Sequence, residues 1–146
     1  MRNSKEGFGE RMLETGIKGH AEDYVTEDNA AKMMGSGDLM VFATPAMVAL
    51  VEMACWTSIA KELEEGSSTV GTALNLSHVS ATPLGLKVHC ESELCAIDGR
   101  KLTFTVKVYD EAGLIGEGTH ERFIIDKERF LSKTDKKLEV KKDEVM

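Results

Sequence analysis

VFATPAMVALVEMACWTSIA, Val41 to Ala60, is the stretch on which the fold turns. Thr44 is a preferred N-cap, and Pro45 suits the first helical position, where the missing N–H has no partner to lose. A helix is therefore predicted from about Thr44 to Glu64, with Gly66 just past its end. Apolar residues lie on nearly every side of it rather than on one stripe, the pattern of a helix surrounded by protein. One charge, Glu52, sits inside it.

From Thr69 onward the period switches to two, which places Val70, Thr72, Leu74, Leu76 and His78 on one strand face. A second strand is read at about Leu86 to Ile97, with Leu86, Val88, Cys90 and Leu94 inward, and Asp98-Gly99 is a strong hairpin turn. A third strand turns Leu102, Phe104, Val106 and Val108 inward, and a fourth runs from about Leu114 to Asp126. One long buried helix followed by four strands in an antiparallel meander is an α+β layout with the sheet curled about the helix, which is what a hotdog fold looks like. Such a sheet leaves an edge strand and part of an apolar face open, so a homodimer is expected.

Toward the front, Tyr24-Val25-Thr26 favours strand, Glu27 to Lys32 a short helical turn, and GSGD at Gly35 to Asp38 a flexible break. Toward the end, KERFLSKTDKKLEVKKDEVM is too charged to bury much. Residues 1–130 thus read as one domain and 131–146 as a charged tail.

Composition narrows the function classes. A chain of 146 residues, 42% hydrophobic and 29% charged, suits a single soluble core. With 25 acidic and 18 basic side chains its net charge is −7, which repels nucleic acid over the surface as a whole. A phosphate-bearing small ligand needs a local basic patch. The start, MRNSKEGFGERMLETG, lacks an apolar h-region, and the longest apolar stretch is about half a membrane span. A cytoplasmic protein with no membrane contact is expected. Cys55, Cys90 and Cys95 have neither CxxC nor His spacing and read as packed thiols, and the four histidines form no recognisable ligand set, so no metal is expected.

Three side chains stand out chemically. Glu52 lies among Leu50, Val51, Met53 and Ala54, where a carboxylate costs several kcal/mol unless paired or hydrogen-bonded. It acts in catalysis or reaches a subunit boundary. His78, on the apolar strand face, is an acid or base near neutral pH if a carboxylate orients it, or else a core histidine satisfied by a carbonyl. Thr44 caps the helix, or offers its hydroxyl where the helix dipole favours negative charge. Thr44 and Glu52 are separated by ~12 Å of helical rise, so they meet different substrate atoms, join across a dimer, or have irregular chain between them. Gly71, inside a strand, marks a bulge or a close backbone approach, and its N–H can polarise a carbonyl. His120 and Arg122 share a face with Gly116 and Gly118, which leave room for a ligand or a neighbouring strand. His20 and His89 read as surface residues.

Val41 to Gly85, followed by IDGRKLTF and GEGTHER, resembles the fluoroacetyl-CoA thioesterase family of hotdog-fold hydrolases. The resemblance runs from about Val41 to Phe130 and rests on FAT with Glu eight residues on, GTALNLSHVSATPLG, and GTHER, in this order and spacing. It implies that Thr44, Glu52 and His78 form the catalytic set, that Gly71 helps hold the thioester carbonyl, and that Arg122 belongs to the substrate site. It also implies hydrolysis of a small acyl-CoA to the free acid and CoA, with no cofactor beyond the CoA of the substrate. An enoyl-thioester hydratase and a non-catalytic acyl-CoA binder are the other activities such a fold serves. One departure is local: the relative's lid of phenylalanines ahead of FAT is replaced here by GSGDLM, and Met33, Met34, Leu39 and Met40 are the residues able to rebuild an apolar cover.

Overall fold

Residues 13–145 are described by the computed structural model. In chain order they form β1 (Lys18–Tyr24), α1 (Ala31–Met34), α2 (Thr44–Ile59), β2 (Ser67–His78), β3 (Lys87–Asp98), β4 (Lys101–Asp110), β5 (Gly113–Asp126), α3 (Lys127–Asp135) and α4 (Leu138–Val145). The strands make one antiparallel sheet in the order β1-β3-β4-β5-β2, wrapped on α2.

Helix α2 forms where its pattern predicts, with shifted ends. Ala43 is the N-cap and makes no side-chain cap bond, Thr44 is already helical, and the α-helix stops at Ile59, followed by a 3-10 turn over Ala60–Glu62. Thr44 therefore does not cap the helix, and its hydroxyl is free for another partner. Met47, Leu50, Val51, Ala54, Cys55 and Ile59 are buried against the sheet. Each large one contributes about 1.5–3 kcal/mol through its burial. The opposite side is left open by the described residues, with Met53 50% and Trp56 45% exposed. The all-round burial expected from the pattern is thus half met within one copy.

The inward sets of β3 and β4 are as read: Val88, Cys90, Leu94, Leu102, Phe104, Val106 and Val108 are all buried. Two corrections concern β2. It pairs with β5 and not with β3, so only β3, β4 and β5 form a meander, and the link between β2 and β3 crosses the sheet to make β2 an edge. Its register also shifts between Gly71 and Ala73. A bulge adds one residue and reverses the alternation beyond it, so Thr69 and Gly71 face α2 on one side of Thr72, and Leu76 and His78 face it on the other. Strict alternation put Gly71 on the wrong face.

At the front, β1 runs along the far edge, and Gly19 lets it cross α2 closely, because a Cβ there would meet the Ala54 carbonyl and lie 2.7 Å from Ser58 Cβ. The GSGD break is an ordered turn in which Gly35 (φ 76°) ends α1 and the Ser36 N–H donates to the Ala31 carbonyl at 2.9 Å. The charged end is helical and exposed through residue 141 where its side chains are described, and α3 spans residue 130 without a break.

Candidate active site

Placing Thr44 at the first turn of α2 and His78 at the end of β2 brings Thr44 Oγ1 within 2.8 Å of His78 Nδ1. The two side chains open into a cavity of about 270 Å³ lined also by Ser36, Val41, Phe42 and Val79. Phe42 meets the His78 ring edge-on, with centroids 6.3 Å apart. Burial lowers the His78 pKa from its ordinary value, so the ring is neutral at pH 7 and able to take a proton. Its Nε2 is buried with no hydrogen-bond partner among the described residues. Met33, Met34 and Leu39 stay exposed in the protomer and do not line this cavity.

Glu52 lies elsewhere. It is two turns further along an unbroken helix, roughly 12 Å by the α-helical rise, and it meets Arg122 instead of His78. Arg122 Nη1 reaches Glu52 Oε2 at 3.4 Å. Of the two side chains only Arg122 is buried, while that of Glu52 is 38% exposed. The sequence required a partner for this carboxylate without naming it; the partner is an arginine carried by β5.

Arg122 is held on every side. Its Nε donates to Thr69 Oγ1 at 2.8 Å, Nη2 to the Thr69 carbonyl at 3.0 Å, and Nη1 to His120 Nε2 at 3.0 Å. Because that histidine nitrogen accepts, the proton resides on Nδ1, which donates to the Ala73 carbonyl at 2.9 Å. His120 is therefore neutral, as its burial, which lowers its pKa, also requires. Burial likewise pulls Arg122 down, and Glu52 opposes the change. Gly71 completes the group: a Cβ there would lie 2.6 Å from Glu52 Oε2 and 3.3 Å from Arg122 Nη1. Glycine is what lets the edge strand pass this close to the ion pair.

One protomer thus holds two clusters. Thr44 and His78 form the first; Glu52, Gly71 and Arg122, with Thr69 and His120, form the second. Sequence reading named five of these residues and left His120 without a role. Thr69 was missed, although its spacing of two from Gly71 on the same strand face was a usable signal. Gly116 and Gly118 leave room for protein: added Cβ atoms would meet Met47 Sδ at 2.7 Å and the Asn75 carbonyl respectively. Among the described residues no group of three or more His, Cys, Asp or Glu side chains is placed to hold a metal ion.

A curled antiparallel sheet on one helix, with a threonine–histidine pair at the helix start and a carboxylate two turns on, defines the class of hotdog thioesterases. Known proteins agree. A sequence model of the fluoroacetyl-CoA-specific thioesterase family, FlK, matches residues 25–128, and the chain belongs to that family. The fluoroacetyl-CoA thioesterase of Streptantibioticus cattleyicolor is 44% identical over 97 residues, which are 66% of this chain and 70% of that one. The solved fluoroacetyl-CoA thioesterase FlK superposes with a TM-score of 0.81 at 34% identity, over 86% of this chain and 98% of that one. A variant of it in complex with fluoroacetate and CoA gives 0.76 at 35% identity, over 81% and 99%. A Thermus thermophilus thioesterase superfamily member gives 0.84 at 26% identity, over 92% and 99%.

Proposed function

We propose that this protein hydrolyses a small acyl-CoA thioester to the free acid and CoA, as an acyl-CoA thioesterase working without a cofactor and with water as co-substrate. The observation that carries the reading is the 2.8 Å contact of Thr44 with a neutral His78 at the mouth of a small cavity. His78 moves the proton, taking it from the Thr44 hydroxyl or from water and returning it to the leaving thiolate. Glu52, held by Arg122, assists the nucleophile. Backbone N–H groups at Gly71 and at the start of α2 stabilise the oxyanion.

The two clusters act together in a homodimer. Strand β2 is a 12-residue edge without a charged side chain, whereas the other edge, β1, carries Lys18, His20, Glu22 and Asp23. Charge protects an edge from pairing, and its absence invites it. The exposed side of α2, with Met53 and Trp56, adjoins the Glu52 cluster and is covered by the same partner. A two-fold axis across β2 runs the paired strands antiparallel, which carries the Thr44–His78 pair of one copy toward Glu52 of the other. Three free cysteines, two of them buried, suit a reducing compartment, and we place the enzyme in the cytoplasm.

Release of free thiol from a panel of short acyl-CoA esters tests the activity. A crotonyl thioester hydrated without thiol release selects a hydratase, and a thioester protected from hydrolysis selects a binder. For the dimer, His78→Ala and Glu52→Gln subunits are mixed. Shared sites restore about a quarter of wild-type activity, since about half the dimers are mixed and one of their two sites is intact; sites within one protomer restore none. With GSGDLM in place of an aromatic cover, fluoroacetyl-CoA and acetyl-CoA should differ in kcat/KM by less than about two orders of magnitude, as a pocket lacking a specific contact separates close analogues by ~1–3 kcal/mol. A larger preference places a cover elsewhere in the chain.

A further inference from the structure

Beyond Arg122, where β5 passes into α3, a cavity of about 990 Å³ opens between the end of the sheet and that helix. Arg100, Arg129, Lys133 and Lys136 line it, against Asp126 and Glu128. Asp126 is already committed, because its carboxylate accepts the Arg129 backbone N–H at 3.0 Å and caps α3. No carboxylate among the described residues is ion-paired to any of the four cations. In a chain of net charge −7, such a concentration of positive charge draws an anion to one place. The family match ends at residue 128, so Arg129, Lys133 and Lys136 lie beyond it and the groove belongs to this chain's own C-terminal helix.

We infer that this groove binds the phosphate-bearing end of the substrate, the 3′-phosphoadenosine diphosphate of a CoA thioester. The inference rests on the acyl-CoA reading of the site and adds where the nucleotide is held. The ligand's pyrophosphate and ribose 3′-phosphate match a site of several separated cations, with arginine offering paired donors and lysine point charges. From Arg122 to Asp126 is four residues of extended strand, roughly 13 Å, a span that an extended pantetheine arm covers. A second cavity, about 350 Å³, shares Arg100, Ile125, Asp126 and Arg129 with the groove and continues to Leu63 and Ser67 at the start of β2. Glu64 lines that narrower part, which disfavours phosphates there relative to the wider one.

The test compares the best short acyl-CoA of the panel with the same acyl group on pantetheine alone. Arg129→Glu is the first variant, since glutamate at the third helical position after an aspartate cap is a favoured residue and the helix survives; Lys133→Glu is the second. Each should raise KM for the CoA ester on the order of tenfold, leave kcat within about twofold and leave the pantetheine ester unchanged, because a solvated charge–phosphate contact acts on binding alone. KM of the wild type for the CoA ester should also climb with added salt. Adenosine 3′,5′-bisphosphate, titrated by calorimetry, should bind the wild type and lose affinity in the variants. Equal KM shifts for both esters, no shift for either, or unchanged bisphosphate binding overturns the inference. So does slower turnover only of an acyl group carried on an acidic phosphopantetheinyl protein, which would make the groove a protein dock. If no thioester is cleaved yet the bisphosphate binds and Arg129→Glu abolishes it, the groove stands and the hydrolytic reading falls.

Discussion

The two polar clusters on α2 are built on opposite principles. At the helix start, Thr44 and His78 have each other and a cavity, and one ring nitrogen is left without a partner. Two turns on, Arg122 donates to a hydroxyl, a carbonyl, an imidazole and a carboxylate, so that it can point only one way. The first arrangement leaves proton positions free to change; the second commits all three guanidinium nitrogens, to Thr69, a neutral His120 and the Glu52 carboxylate. In the proposed reaction the first group moves the proton and the second holds the assisting carboxylate in one position.

The comparison breaks most sharply on His78→Ala and Glu52→Gln, which should each cut thioester cleavage by about 10²–10⁴-fold; His78→Ala should melt near wild type, whereas Glu52→Gln should melt lower because it takes the counter-charge from the buried Arg122. A Glu52→Gln enzyme with full turnover removes Glu52 from the mechanism. Next in size, Arg122→Ala should lose activity and also roughly 3 kcal/mol of stability in urea unfolding, the lower end for a broken buried pair because Glu52 can reach solvent. Stability unchanged in Arg122→Ala would show the saturated cluster to be loose after all. Thr44 separates the two roles at one position: with no cap bond to lose, Thr44→Ala should unfold like wild type yet run slower, and Thr44→Ser should keep the rate. If both are fully active, the hydroxyl has no part in the reaction.

The smallest effect is in pH. His78 and His120 have pKa values lowered from 6.5 by burial, so the unfolded chain binds protons there more readily than the folded one. Their contribution to stability is complete above pH 6.5 and is lost as pH falls through the folded values. The acid limb of kcat/KM should follow His78 and lie below pH 6.5. On the surface, His20 is raised by hydrogen bonds to Glu22 and Glu91, and its contribution runs the other way, present in acid and lost as pH rises through its folded value. Imidazole resonances followed by NMR should give His20 the highest midpoint of the three; an inverted order would contradict the burial account.

Local pattern carried much of this protein. The helix from Thr44, the inward faces of β3 and β4 and the Asp98-Gly99 hairpin follow from spacing within one element; Thr44, Glu52, His78 and Gly71 stand out by their chemistry, and their grouping with Arg122 as a site came from the resemblance carried by FAT, GTALNLSH and GTHER. Such features are set by neighbours near in sequence, where periods of 2 and 3.6 and the chemistry of caps and turns operate. Only the tertiary structure decided that β2 pairs with β5, that a bulge at Thr72 turns Gly71 toward Glu52, that Ala43 and not Thr44 caps α2, and that His78 meets Thr44 while Glu52 meets Arg122. The groove at Arg100 and Arg129 was equally hidden, since it joins a hairpin turn to a helix that the chain reaches only after two further strands. These depend on contacts between residues far apart in sequence, whose energies no single stretch contains, and on the packing that chooses among partners of similar local pattern.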